Sequence, residues 1–206
     1  MKRNIITLIA VIGLTLLGTT HNAFAQQDKW MIQAGVGYKY VSKPKSHQID
    51  LNFSAGRTFL SDLIEVGVIY NESFNPFQLV AGPILLMFEV VLPYAPDGEI
   101  KFLQFNRYIG GYAGLNFMKL TDSNKDYRLT LSPTLGESTT SLLISQRENL
   151  VLKDIKDIRD RQFAYGLRLA FDRIVLERMC IGLSSTYLHF NGSNSISLDA
   201  TITLRL

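Results

Sequence analysis

The last eleven residues alternate without interruption: Ile196, Leu198, Ala200, Ile202, Leu204 and Leu206 are apolar, and Ser197, Asp199, Thr201, Thr203 and Arg205 are polar. Successive side chains of a strand point to opposite faces, so the pattern predicts a strand with one oily and one wet side. A tilted strand crosses the hydrocarbon of a bilayer in about 9 to 11 residues, and this segment is long enough.

At the other end, Lys2 and Arg3 lead into an apolar run from Ile5 to Leu17, followed by Ala23-Phe24-Ala25. A basic start, a short apolar run and small residues around a cleavage point after Ala25 are the pattern of a secretory signal peptide. The run is shorter than the roughly 20 residues a spanning helix needs. The expected organisation is a signal peptide at 1–25 and a single domain at 26–206. Removing Lys2 and Arg3 takes 21 basic residues to 19 against 18 acidic ones, so the net charge falls from +3 to +1. A nearly neutral chain with dispersed charge has no phosphate-binding stripe, which argues against nucleic acid as a partner. Cys180 is the single cysteine, so no intramolecular disulfide can form. A sheet closed on itself would satisfy its backbone without such a staple.

The same alternation recurs along the chain. Trp30, Ile32, Ala34, Val36, Tyr38 and Tyr40 share one parity, Ile49, Leu51, Phe53 and Ala55 a second set, and Ile64, Val66, Val68 and Tyr70 a third. Gln78–Leu92 is apolar on both faces apart from Glu89, but Pro83 and Pro93 bracket too few residues for a spanning helix, so it reads as a strand. Ile100–Leu120 reads as one extended strand with a bulge near Arg107, where an apolar parity is interrupted. Tyr127–Leu135 and Thr140–Gln146 read as two strands around a turn at Gly136–Ser138. Asn149–Asp160, with Leu152, Ile155 and Ile158 three apart, suits a short helix or structured loop. Phe163–Phe171, Met179–Tyr187 and the terminal segment complete the set, the last two joined by a turn at Asn191–Asn194.

The fold class is therefore all-β, an antiparallel up-and-down transmembrane β-barrel of about ten strands, or eight if the weaker segments merge. With the N-terminus starting inside, the connections Thr58–Asp62, Pro93–Glu99, Gly136–Ser138 and Asp172–Val175 fall inside. Val41–Ser46, Asn71–Phe77, Thr121–Lys125, Glu148–Asp160 and Asn191–Asn194 fall outside.

Alternation alone does not separate a membrane barrel from a soluble one. Residue size helps: Gly35, Gly37, Gly56, Gly67, Gly166 and Gly182 lie on the polar face, as a narrow, crowded lumen requires. On the apolar face, Tyr38, Tyr40, Tyr70, Phe117, Tyr127, Phe171 and Tyr187 lie near strand ends, where ring side chains suit the membrane interface. Trp30, the lone tryptophan, is not in the Gly-x-Trp pattern of a lipocalin. By these features the whole mature chain resembles the small outer-membrane β-barrel proteins of double-membraned bacteria. The resemblance implies the outer membrane as location, and outer-membrane lipid, lipopolysaccharide and the barrel-assembly machinery as partners. The chain ends on Leu206 where that class commonly ends on an aromatic residue.

Lys39, Asp50, Glu65, Arg128, Arg168, Asp172, Asp199 and Arg205 share the lumen parity and are expected to pair as an interior charge network. Around His189, the run Leu188-His189-Phe190-Asn191-Gly192-Ser193 faintly resembles the His-x-Ser-Asn site of lipid A deacylases. That resemblance makes His189 and Ser193 the candidate catalytic residues, although Asn191 stands where the motif has its serine and the final strand offers only Asp199 as a carboxylate, on the lumen face. No metal-ligand cluster and no cofactor motif is present. The sequence thus favours a non-enzymatic outer-membrane barrel with a structural, surface-interaction or binding role. Its alternatives are a narrow channel for small polar solutes, a lipid A deacylase-like hydrolase and a soluble periplasmic ligand-binding barrel. The charged segment Glu148–Asp160 is the surface expected to meet lipopolysaccharide or a protein partner.

Overall fold

A computed structural model of the chain describes residues 29–43, 45–77, 98–121, 126–148, 151–176 and 178–206, with the backbone alone at 98–103, 143–148 and 151–157. Eight antiparallel strands close into a barrel in which each strand pairs with its sequence neighbour and β1 pairs with β8. They are β1 (Trp30–Ser42), β2 (Lys45–Phe59), β3 (Ile64–Phe74), β4 (Gly98–Asn116), β5 (Tyr127–Glu148), β6 (Val151–Leu176), β7 (Met179–Phe190) and β8 (Ser193–Arg205). The terminal strand carries the closure: Met31 lies opposite Arg205 and Val41 opposite Ser195, and Trp30 and Leu206 exchange backbone hydrogen bonds. Closure leaves no edge around the wall, which is how a sheet without a disulfide satisfies its backbone.

Eight strands arise because Tyr127–Leu135 and Thr140–Gln146 merge into β5 and because β3 pairs directly with β4. β5 runs unbroken through Gly136–Ser138, with Gly136 opposite Gly110 on one side and Ala164 on the other. The turn expected there does not form, because both neighbours offer a continuous ladder. Likewise, over its described residues, Glu148–Asp160 is not an excursion: β6 begins at Val151 and pairs with β5 from there to Arg173, passing over Lys153. Ile155 and Ile158 are three apart as on a helix, yet lie opposite Ser145 and Leu142, so strand pairing overrides the local period. Arg107 marks no bulge; the register shift in β4 falls between Lys101 and Leu103. Pro133, which has no N–H, coincides with a gap in the β4–β5 ladder between the pairs Tyr112–Thr134 and Leu115–Leu131. The strand expected at Gln78–Leu92 lies outside the described residues.

The direct pairing of β3 with β4 also moves two connections. Asn116 and Tyr127, which end β4 and begin β5, lie at the end that carries both termini, so the connection expected at Thr121–Lys125 does not start from the opposite end. Of the connection expected at Pro93–Glu99, Gly98 and Glu99 open β4 at the opposite end and the rest lies outside the described residues, and Asp172–Val175 is strand, with β6 continuing to Leu176. A short helix, α1 (Phe117–Leu120), replaces the end of the expected extended strand. Asn116 caps it, accepting from Met118 N at 3.2 Å, and donates to the Asp62 carbonyl at 3.2 Å. The turn at Asn191–Gly192 has both residues at positive φ, 38° and 74°, the conformation of a tight two-residue hairpin.

Candidate functional site

The two faces of the wall are chemically opposite. In β8 the polar residues from Ser195 to Arg205 alternate inward and buried with outward Ile196, Leu198, Ile202 and Leu204. All eight charged residues expected in the lumen are buried there: Lys39, Asp50, Glu65, Arg128, Arg168, Asp172, Asp199 and Arg205. They fall into three groups rather than one network. Near the termini, Arg205 pairs with Asp62 across the mouth of the barrel. Further in, Arg128 contacts Glu65 at 3.0 Å and Asp172 at 3.7 Å, while Tyr112 donates to Glu65 at 2.5 Å. Arg168 sits over the Tyr112 ring at 5.3 Å and bonds Gln33. Beyond these, Lys39 faces Asp50 at 3.8 Å, Asn71 donates to Asp50 at 3.1 Å, and Ser197 donates to Asp199 at 3.1 Å.

Sequence parity misses three contributors. Tyr108 and Tyr112 are buried inside, opposite in parity to outward Ile109 and Ala113, and that opposition is the signal that would have found them. Asp62 has no parity to read, since it lies in the β2–β3 connection, where Leu60, Ser61 and Asp62 all take positive φ. The lumen glycines make room for these groups. A Cβ at Gly56 or Gly67 would lie 2.6 or 2.8 Å from the Tyr112 hydroxyl, and one at Gly37 would lie 2.5 Å from Asp199 Oδ1.

Above the charges sits a neutral polar layer. Ser73 and Asn106 each donate to Gln48 Oε1 at 2.9 Å, and Thr140 donates to Asn106 at 2.9 Å. A cavity of about 10 Å³ lies beside Gln33, Arg128 and Arg168, close to the smallest space that holds one water. This interior is packed, as expected for eight strands.

The outward face carries an apolar belt bounded by rings at both ends. At the end with the termini, Tyr127 stacks on Phe171 at 5.6 Å, Trp30 lies under Arg57, and Phe117 is exposed on α1. At the far end, Tyr38, Tyr40, Tyr70 and Tyr187 point outward, joined by Phe163, Tyr165, His47 and His189. His47 bonds the Tyr38 hydroxyl and packs on Tyr40, and His189 packs on Tyr165 at 5.1 Å. Where β3 to β6 pass this rim the outward residues become charged: Arg107 pairs with Glu72 at 3.1 Å and Arg161 with Glu137 at 3.8 Å. Arg107 interrupts the apolar parity because the belt ends there.

The two candidate catalytic residues are not brought together. Ser193 is buried inside, where its hydroxyl donates to the Lys43 carbonyl at 2.9 Å. The His189 ring is outward and bonds Asn194 at 2.6 Å. A nucleophile and its base need hydrogen-bond contact, which this arrangement does not provide. Among the described residues, no group of His, Cys, Asp and Glu is arranged to hold a metal ion, and Cys180 is buried.

A closed antiparallel barrel of eight strands, with polar side chains packed inside and an apolar belt outside, is the fold of the small bacterial outer-membrane β-barrels. No family model matches the sequence, and no curated protein matches it either. Solved structures do resemble it. A major outer membrane protein of Thermus thermophilus superposes with a TM-score of 0.59 at 9% identity, covering 88% of this chain and 100% of that one. Ail, the attachment invasion locus protein of Yersinia pestis, does so with a TM-score of 0.57 at 10% identity, over 88% and 100%. Neisserial surface protein A gives 0.50 at 13% identity, over 87% and 97%.

Proposed function

We propose that this chain is a non-enzymatic integral outer-membrane β-barrel with a structural and surface-interaction role, exported by a signal peptide at 1–25. The observation that carries this reading is the outward belt. Ile32, Val36, Val68, Ile109, Leu167, Leu183, Leu198 and Ile202 are all about half exposed or more, an apolar surface that water would not tolerate at this extent. Hydrocarbon requires both the belt and the closed backbone. The packed interior favours structure over conduction. The resemblance to structures named as a surface protein and an attachment protein supports an outward-facing role.

Outer-membrane lipid and lipopolysaccharide are the expected surroundings, with the barrel-assembly machinery as the route of insertion. Arg107 and Arg161 stand on the outer wall where the belt meets headgroups, positioned for anionic sugars and phosphates beside their paired carboxylates. The test compares unheated and boiled outer-membrane fractions on a denaturing gel. A closed barrel resists detergent until its hydrogen-bonded wall unfolds, so the unheated band should migrate apart from the boiled one. Recovery of the chain only from the soluble periplasm would overturn the reading.

A further inference from the structure

Past the rim, β4, β5 and β6 continue as a three-stranded sheet. On its β6 side, β7 ends at Phe190, opposite Ala164, so among the described residues Val151–Phe163 pairs with β5 alone. At about 3.3 Å per residue this open edge is roughly 40 Å long. The edge on the β4 side leads into residues outside the description. A register shift leaves Lys153 unpaired near the tip, where Asp154 lies opposite Gln146 and Leu152 opposite Arg147. From Asp154 to Gln162 the ladder is regular.

An open edge is a template for another strand. The sequence along this one is Asp154-Ile155-Lys156-Asp157-Ile158-Arg159-Asp160-Arg161-Gln162. A two-fold axis between identical antiparallel strands places one residue opposite itself. With Ile158 there, Asp157 lies opposite Arg159 and Lys156 opposite Asp160, each pair occurring twice by symmetry. Ile158, exposed at 49%, meets its own copy at the centre. Centring on Lys156, Asp157, Arg159 or Asp160 instead opposes like charges at the axis itself. The edge therefore carries opposite-charge pairs, which stabilise cross-strand contacts, in a register centred on Ile158.

We propose that the β6 edge from Asp154 to Gln162 is a self-recognition strand that pairs antiparallel, in register about Ile158, with the same edge of a second copy in a facing membrane. The facing membrane follows from symmetry. Two barrels in one membrane are related by an axis along its normal, which leaves an upward-running strand upward. Reversing the strand needs an axis parallel to the membranes, midway between two of them. The proposal rests on the outer-membrane reading above and makes the protein a homophilic contact between two lipid surfaces.

The test uses the full chain in lipid nanodiscs at one barrel per disc, followed by sedimentation. Discs carrying wild type should pair. The quadruple variant Lys156→Asp, Asp157→Lys, Arg159→Asp and Asp160→Lys keeps the net charge and its own complementarity, so it should pair with itself. Against wild type it turns every opposite-charge pair into a like-charge pair, and mixed pairs should fall about tenfold or more below like pairs. Ile158→Cys should trap disc pairs as a disulfide under mild oxidant, while Arg161→Cys, opposite Ile155 of the second copy, should not. Loaded discs that stay single, or wild type and reversed charge mixing indiscriminately, would overturn self-recognition alone. A chain that does not enter lipid discs would overturn the membrane reading with it.

Discussion

The barrel has a short side and a long side. β7, β8 and β1, with 12, 13 and 13 residues, end together at the far rim, whereas β5 and β6, with 22 and 26, continue well beyond it. On the short side each strand separates two environments, apolar outside and packed polar inside. On the long side, past the rim, the sheet is held by backbone pairing with its neighbours in the hairpin. The same strand can therefore be fixed by its surroundings over one part of its length and by its partner alone over the rest.

The largest effect should come from the interior that the two sides share. Glu65→Ala removes the carboxylate 3.0 Å from Arg128 and the acceptor of Tyr112, leaving the buried guanidinium with Asp172 at 3.7 Å and the Met31 sulfur at 2.9 Å. Stripping one partner from a buried ion pair costs about 3–5 kcal/mol. Urea unfolding of the barrel in detergent micelles should show a loss of that size. A loss below about 1 kcal/mol would mean the interior rearranges freely and is no more rigid than the hairpin.

The next prediction separates the two sides. Leu198 is 58% exposed on the outer belt of β8, opposite Tyr38 and Ser185, and Leu198→Arg should cost about 2–4 kcal/mol if its position is near the bilayer midplane. Ile158→Arg makes the same kind of change beyond the rim, where an exposed substitution should stay within about 0.5 kcal/mol. Equal losses in the same unfolding assay would erase the distinction between belt and extension. Thr201→Ala, an inward change that removes no charge, should be mild.

That distinction also decides what could be read from the chain. Where lipid-facing and interior positions alternate, period two is enforced residue by residue, and the parity of β1, β2, β3 and β8 follows directly, as do the eight buried charges. Arg107 looked like a fault in a strand because it lies one step past the belt, where an outward residue is free to be charged and paired with Glu72. Ile155 and Ile158 sit three apart because nothing beyond the rim demands alternation, and their strand state depends on β5 lying alongside. Gly136–Ser138 resembled a turn for the converse reason: Gly136 is small because the wall is tight, with a Cβ there meeting the Ile109 carbonyl at 2.1 Å. Asp62 belongs to the site through the left-handed backbone of Leu60–Asp62, which no face pattern announces.

The smallest effect tests the wall within a single dipeptide. Gly110 and Gly111 are adjacent in β4 and face opposite ways. A Cβ at Gly110 would lie 2.2 Å from the Tyr108 hydroxyl and 2.7 Å from the Leu135 carbonyl, and Tyr108 is held by Thr134 at 2.5 Å. Its ring cannot move aside without breaking that bond, so Gly110→Ala should cost about 1–3 kcal/mol as an overpacked interior. At Gly111 the nearest atom to an added Cβ is the Gly67 carbonyl at 3.8 Å, an ordinary contact. Gly111→Ala should then stay within about 0.5 kcal/mol or stabilise slightly, because alanine restricts the unfolded chain more than glycine. Parallel urea titrations of the two variants settle the sign of each. A costly Gly111→Ala beside a neutral Gly110→Ala would mean that the faces of β4 are reversed, and with them the assignment of Tyr108 and Tyr112 to the interior.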